Sequence, residues 1–107
     1  MPDVMPLVTA VDQLADRLRS LPQSRLRQGA AAHGLDLARE LSARAQRLEF
    51  PDREPRSVPD EGLFVVADQV AVTGRDLAEA MRTASAHEVA EAVKLVEEAA
   101  RRCEGTG

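Results

Sequence analysis

Residues 50–59 read Phe-Pro-Asp-Arg-Glu-Pro-Arg-Ser-Val-Pro, and this stretch divides the chain into two halves. It holds three of the six prolines. Because proline donates no backbone hydrogen bond and fixes its own φ, neither a helix nor a central strand tolerates this density. We therefore predict a long loop. Ten extended residues reach at most about 35 Å, enough to cross one end of a helical bundle or run partway along its side.

Two helices are predicted before this loop. Apolar residues between Leu7 and Leu21 recur at steps of three and four, which is typical of an amphipathic helix. Pro22 ends that helix and suits the first turn of the next one, expected from about Gln23 to Glu49. Gly29 and Gly34 each lower helix propensity there by roughly 1 kcal/mol relative to alanine. They mark either a close approach to another helix or a local kink.

A third helix is predicted over residues 60–84, where apolar residues keep helical spacing. Phe64, Val65 and Val72 lie off its main stripe, so this helix is apolar on more than one side. Thr73 followed by Asp76 mimics a capping box and suggests a break within the helix.

A fourth helix is predicted to begin at the capping box formed by Ser85 and Glu88 and to stop at Gly105. The fold class is therefore all-α: an antiparallel four-helix bundle made of two helical hairpins joined by the Pro-rich loop. With 107 residues, the chain has room for one core and thus for a single domain, 1–107. Residues 1–6 and 104–107 are expected to be a flexible N-terminus and tail.

Composition and charge exclude several classes of function. Phe50 and Phe64 are the only aromatic residues, which argues against base-stacking surfaces for single-stranded nucleic acid. The net charge of −4 also makes the chain a poor nonspecific binder of phosphate backbones. The charge is uneven, with +1 over residues 1–58 and −5 over residues 59–107. This asymmetry favours packing of the two halves against each other or against a charged partner.

The compartment is expected to be the cytoplasm. Cys103 is the only cysteine, so no intramolecular disulfide can form, and no run of eighteen apolar residues suggests a membrane span. Thirteen arginines against one lysine are consistent with a GC-rich, bacterial genome.

The surplus apolar residues of the third helix are the main functional candidates. If Phe64, Val65 and Val72 are exposed, they form an interface with a protein partner, and a homodimer is the first expectation because two-fold dimers are the commonest oligomers. The alternative is that they lie in a broad core. We expect a non-enzymatic interaction or regulatory module without a cofactor or metal.

His33 is the candidate for a different function. The sequence Ala-Ala-His-Gly-Leu over residues 31–35, in the middle of a bundle helix, resembles the phospho-acceptor site of histidine phosphotransfer domains. The resemblance implies that His33 accepts a phosphoryl group. The chain departs from that pattern because no lysine follows the histidine to hold the phosphoryl charge.

A third possibility is a basic tip around the turn between the first two helices, formed by Arg17, Arg19, Arg25 and Arg27. Such a tip suits a phosphate, an acidic partner or a nucleic-acid backbone, and the alternative is a cluster paired with acids. A metal site at His87 and Glu91 is not supported, since zinc needs three or four ligands.

Overall fold

The computed structural model describes residues 1–105, which are helical apart from turns, the N-terminal residues and one long loop. The helices are α1 (Met5–Ser20), the single turn α2 (Gln23–Arg25), α3 (Ala31–Glu49), α4 (Val66–Ala80) and α5 (Ala86–Gly105). A π turn, Leu26–Ala30, joins α2 to α3, and the 3₁₀ turns Leu63–Val65 and Met81–Thr83 flank α4. The predicted all-α four-helix bundle is confirmed, and its long helices are α1, α3, α4 and α5.

Helix α4 lies between α1 and α3, and α5 packs against the same two helices on the other side. Arg19, near the end of α1, pairs with Asp68, near the start of α4, at 2.9 Å. Further along α4, Arg75 pairs with Asp12 of α1, also at 2.9 Å. Helices α1 and α4 are therefore antiparallel. They belong to different predicted hairpins, so the prediction left their relative direction open.

Helices α3 and α4 run in the same direction. A Cβ atom built on Gly34, near the start of α3, would lie 2.6 Å from Cγ1 of Val66, the first residue of α4. At the other end, Leu48 of α3 and Met81 after α4 line the same groove. The bundle thus contains parallel as well as antiparallel neighbours.

The Pro-rich loop explains this direction, because it runs back along the side of α3. The side-chain amide of Gln46 donates to the carbonyl of Arg56 at 2.9 Å and accepts from the amide of Arg56 at 2.9 Å. Arg39, two turns earlier in α3, donates from Nε to the carbonyl of Val58 at 2.9 Å. The loop therefore returns the chain to the start of α3. Of the two predicted paths, the one along the side is observed.

Helices joined by short turns lie across the diagonal of the bundle. Helix α1 packs on α4 and α5, and α3 packs on the same two, whereas α1 with α3 and α4 with α5 make few contacts. The order around the bundle is α1, α4, α3, α5. Each predicted hairpin keeps its antiparallel direction and short connection, but its two helices are not neighbours.

Glycines serve both purposes that the sequence allows. Gly29 has φ 146° within the π turn, so it marks a local distortion. Gly34 allows a close approach of α4, because Val66 occupies the space that a side chain would need.

The suggested break at Thr73 is wrong. The hydroxyl of Thr73 donates to the carbonyl of Gln69 at 2.7 Å. Helix α4 continues through Gly74, which lies against Val11.

Helices α1 and α5 both extend into segments that were expected to be flexible. The carboxylate of Asp3 accepts from the amide of Met5 at 2.9 Å, and α1 begins there, inside the segment 1–6. Helix α5 extends through Gly105, and Thr106 and Gly107 of the predicted tail lie outside the described residues. None of the helices in residues 1–105 is long and apolar enough to cross a membrane.

Candidate interaction surface

An exposed ridge runs along the outer side of α4 and its preceding turn. It consists of Phe64, Asp68, Val72 and Asp76, which follow one another at steps of four residues and are all exposed. The side chains of Phe64 and Val72 are 73% and 59% exposed. Val65, the third predicted interface residue, is half-buried, so it contributes to packing within the chain as well. We call the four residues Phe64, Asp68, Val72 and Asp76 the α4 ridge.

The ridge is exposed because α4 uses other positions to pack in the bundle. Val70 and Leu77 are fully buried, and Val66 and Ala78 are nearly so. These residues face α1 and α3, which occupy two sides of α4. No helix in residues 1–105 covers the remaining side of α4, and Phe64 and Val72 point away from the core for that reason.

A hollow of about 170 Å³ lies beside Phe64, at the end of the bundle where α1 turns into α2. Phe64 and Arg19 both border this hollow, so the predicted interface and the predicted basic tip meet here. Its other lining residues are apolar: Leu18, Leu21, Leu26, Leu63 and Ala67.

Two of the four arginines of the basic tip pair with acids, and a third donates to a backbone carbonyl. Arg17 pairs with the carboxylate of Glu104, and Arg25 donates to the carbonyl of the same residue at 3.0 Å. Arg19 pairs with Asp68, and this hydrogen bond raises the pKa of Arg19 above its ordinary value. Arg27 is exposed and has no ion-pair partner among residues 1–105. The tip therefore presents less free positive charge than its sequence suggests.

His33 is half-buried on α3, just after the π turn. Its imidazole makes no hydrogen bond or ion pair with another part of residues 1–105, although Asp36 lies one turn further along the helix. A histidine nucleophile is normally oriented by a hydrogen-bonded carboxylate or carbonyl, and the described chain places neither on this ring.

The other polar candidates make structural contacts. Nε2 of His87 lies 3.9 Å from a carboxylate oxygen of Glu91, and residues 1–105 bring no three His, Cys, Asp or Glu side chains together as metal ligands. Cys103 is buried, and its Sγ donates to the carbonyl of Ala30 at 3.7 Å. Burial raises the pKa of the Cys103 thiol, while the nearby charge of Arg17 acts in the opposite direction. Cys103 is thus the last buried residue in the apolar stripe of α5.

Sequence reasoning did not find a groove at the opposite end of the bundle. Its floor contains Leu48, which is 44% exposed, and Met81. Basic residues of α3 form one wall and acidic residues of α5 the other: Arg44, Arg47, Glu88 and Glu91. The groove depends on α3 and α5 being neighbours, and the apolar spacing of the sequence carries no signal for that.

Comparison with protein-family models, with curated proteins and with solved structures finds no match to this chain. What its surfaces do must therefore be inferred from their own chemistry.

Proposed function

We propose that this protein is a small, non-enzymatic, cytoplasmic interaction module that forms a homodimer through the outer face of α4. The observation that carries the proposal is the exposure of Phe64 and Val72, at 73% and 59%. Large apolar side chains grouped on one exposed face are characteristic of interaction sites. A two-fold dimer buries this face on both copies with a single kind of contact.

The surroundings of the ridge support a protein partner. Asp68 and Arg75 beside Val72 are already engaged by Arg19 and Asp12 of α1. Because these charges are paired within the chain, covering them in an interface leaves fewer isolated charges than covering bare ones would. The hollow beside Phe64 adds apolar surface that a partner side chain can fill.

The mass of the protein in solution at micromolar concentration tests this proposal. We expect a dimer, and we expect Phe64→Asp and Val72→Asp each to give a monomer with unchanged helix content, because both side chains are exposed. Phe50→Asp is the matched control, since Phe50 is 47% exposed but lies at the end of α3, away from the ridge. A monomeric parent protein, or a Phe64→Asp variant that remains dimeric, would contradict the proposal.

A further inference from the structure

We infer that a pocket at the start of α3 binds a free amino acid with an aliphatic side chain. The pocket measures about 270 Å³ and lies between the π turn, α3 and the segment that follows the Pro-rich loop. It shares no residue with the α4 ridge, so the inference does not depend on the proposed homodimer. It follows from the aliphatic floor of the pocket, from the charges on its rim and from the backbone beside it.

The floor of the pocket is aliphatic and belongs to the core of the bundle. No aromatic residue lines it. Four of its floor residues are at most 7% exposed: Leu26, Ala31, Leu35 and Val66. Pockets for drug-sized ligands measure about 300–1,000 Å³. A slightly smaller pocket suits a ligand of the size of one amino acid better than a nucleotide or a peptide.

The rim of the pocket carries two arginines and two aspartates: Arg27, Asp36, Arg39 and Asp60. Arg27 and Asp36 are exposed and have no ion-pair partner among residues 1–105. Arg39 donates from Nε to the carbonyl of Val58 at 2.9 Å, which orients its guanidinium. A carboxylate oxygen of Asp60 accepts from the amide of the second residue after it at 3.0 Å. The rim thus presents both donors and acceptors of opposite charge.

The balance of charges on the rim selects the class of ligand. A ligand carboxylate fits a guanidinium, which binds it through two parallel hydrogen bonds. An anion alone would also meet the like charges of Asp36 and Asp60, and a cation alone would meet those of Arg27 and Arg39. A neutral apolar ligand would cover charged groups without pairing them. A zwitterion with an aliphatic body avoids all three costs, and a free aliphatic amino acid is such a molecule.

The backbone beside the pocket is unusual on both sides. Gly29, with φ 146°, and Gly62, with φ 99°, are the only residues with positive φ in the part of the chain that the structure describes. Gly29 lies two residues after Arg27, and Gly62 lies two residues after Asp60. Rare backbone conformations and π turns are concentrated at functional sites. Here they accompany one cation and one anion of the same rim.

Isothermal titration calorimetry with L-leucine tests the inference. We expect leucine to bind the parent protein, and Arg27→Gln and Asp36→Asn each to weaken binding by at least about tenfold, because each removes a charged partner of the ligand. Both side chains are exposed, so circular dichroism should show unchanged helix content. Arg53→Gln and Asp52→Asn are the matched controls. These exposed residues of the Pro-rich loop lie outside the pocket, and their variants should bind leucine as the parent does.

Two analogues of leucine test the choice of a zwitterion. Isocaproate lacks the ammonium group and isoamylamine lacks the carboxylate, and we expect each to bind at least about tenfold more weakly than leucine. Equal binding of leucine and either analogue would overturn that choice. The site itself would be rejected if leucine did not bind at millimolar concentration, or if Arg27→Gln or Asp36→Asn bound it as tightly as the parent.

Discussion

Gly74 allows α1 and α4 to approach closely. A Cβ atom at this position would lie 2.4 Å from Cγ1 and 3.0 Å from Cβ of Val11. The second distance involves an atom fixed to the backbone of α1, so a rotamer change of Val11 cannot relieve the contact. The glycine therefore sets the separation of the two helices.

We expect Gly74→Ala to lower the free energy of unfolding by about 1–3 kcal/mol, because overpacking a tight contact outweighs the higher helix propensity of alanine. Urea denaturation measures the change. Gly105→Ala is the matched control, since no atom lies within 4 Å of the Cβ position there, and its stability should be unchanged or slightly higher.

Removal of the facing side chain should relieve the strain. In a double-mutant cycle, Val11→Ala is expected to cost less in the Gly74→Ala background than in the parent protein, because the alanine methyl occupies space that Val11 leaves. Strictly additive effects of the two substitutions would show that they do not meet in the folded protein.

Cys103 should make stability depend on pH in the alkaline range. The thiol ionises near its ordinary pKa of 9.0 in the unfolded chain, and burial raises its pKa in the folded one. Its contribution is therefore complete below the unfolded pKa and is lost as pH rises through the folded pKa. Denaturation of the parent and of Cys103→Val from about pH 8 to about pH 10 measures this loss. An equally steep decline in both proteins would exclude the thiol as its cause.

At the level of elements, the π turn is the irregular part of a long helical stretch. It combines a φ of 146° at Gly29 with a buried carbonyl at Ala30, which accepts from Cys103 of α5. The turn thus contacts α5 and α3 at once. We interpret the π turn as a local change of backbone direction after Pro22. It places the side chains of Leu26 and Ala30 in the core, where both are buried.

We expect Gly29→Ala to destabilise the protein by about 1–3 kcal/mol, because residues with a Cβ rarely adopt this backbone conformation. Gln28→Ala, an exposed neighbour in the same turn, is the control and should be close to neutral. Both are measured by urea denaturation. If Gly29→Ala were as stable as Gln28→Ala, the turn would accommodate an ordinary helical conformation at position 29.

Helix positions were predictable because apolar periodicity and proline positions act within a few residues. Pro22 separates the first two helices as predicted, and Ser85 accepts from the amide of Glu88 at 3.1 Å at the start of α5. The roles of Gly29 and Gly34 were not predictable, since a kink and a close approach require the same residue. The prediction at Thr73 was wrong for a similar reason. A threonine hydroxyl can cap the start of a helix or hydrogen-bond to a carbonyl within one, and Thr73 does the latter.

For the whole molecule, the direction of α4 was the open question. A ten-residue stretch allows both a path across the end and a path along the side. The observed path depends on hydrogen bonds that Gln46 and Arg39 make to the loop backbone. No local sequence pattern predicts these hydrogen bonds. The candidate interface was predictable in part. Phe64 and Val72 lie off the main apolar stripe of their helix, which the sequence shows directly. That Phe64 and Arg19 border the same hollow depends on the fold and could not be predicted.

If the protein is a dimer, its thermal stability should depend on its concentration. Dimer formation stabilises the folded state by mass action, and for a chain of this length we expect Tm to rise by about 2–5 °C for each tenfold increase in concentration. Thermal unfolding followed by circular dichroism measures this. Phe64→Asp serves as the monomeric control and should show a constant Tm. A constant Tm in the parent protein above micromolar concentration would argue against the dimer.

The diagonal placement of consecutive helices has a consequence for how fast the chain folds. Neither pair of helices linked by a short turn can form a stable local unit, because its partners in the bundle lie far away in sequence, as with Arg17 and Glu104. Long segments must be closed before most native contacts stabilise the chain. Folding rates fall as the sequence separation of contacts grows. This protein should therefore fold more slowly than a bundle of equal length in which each helix packs on the next.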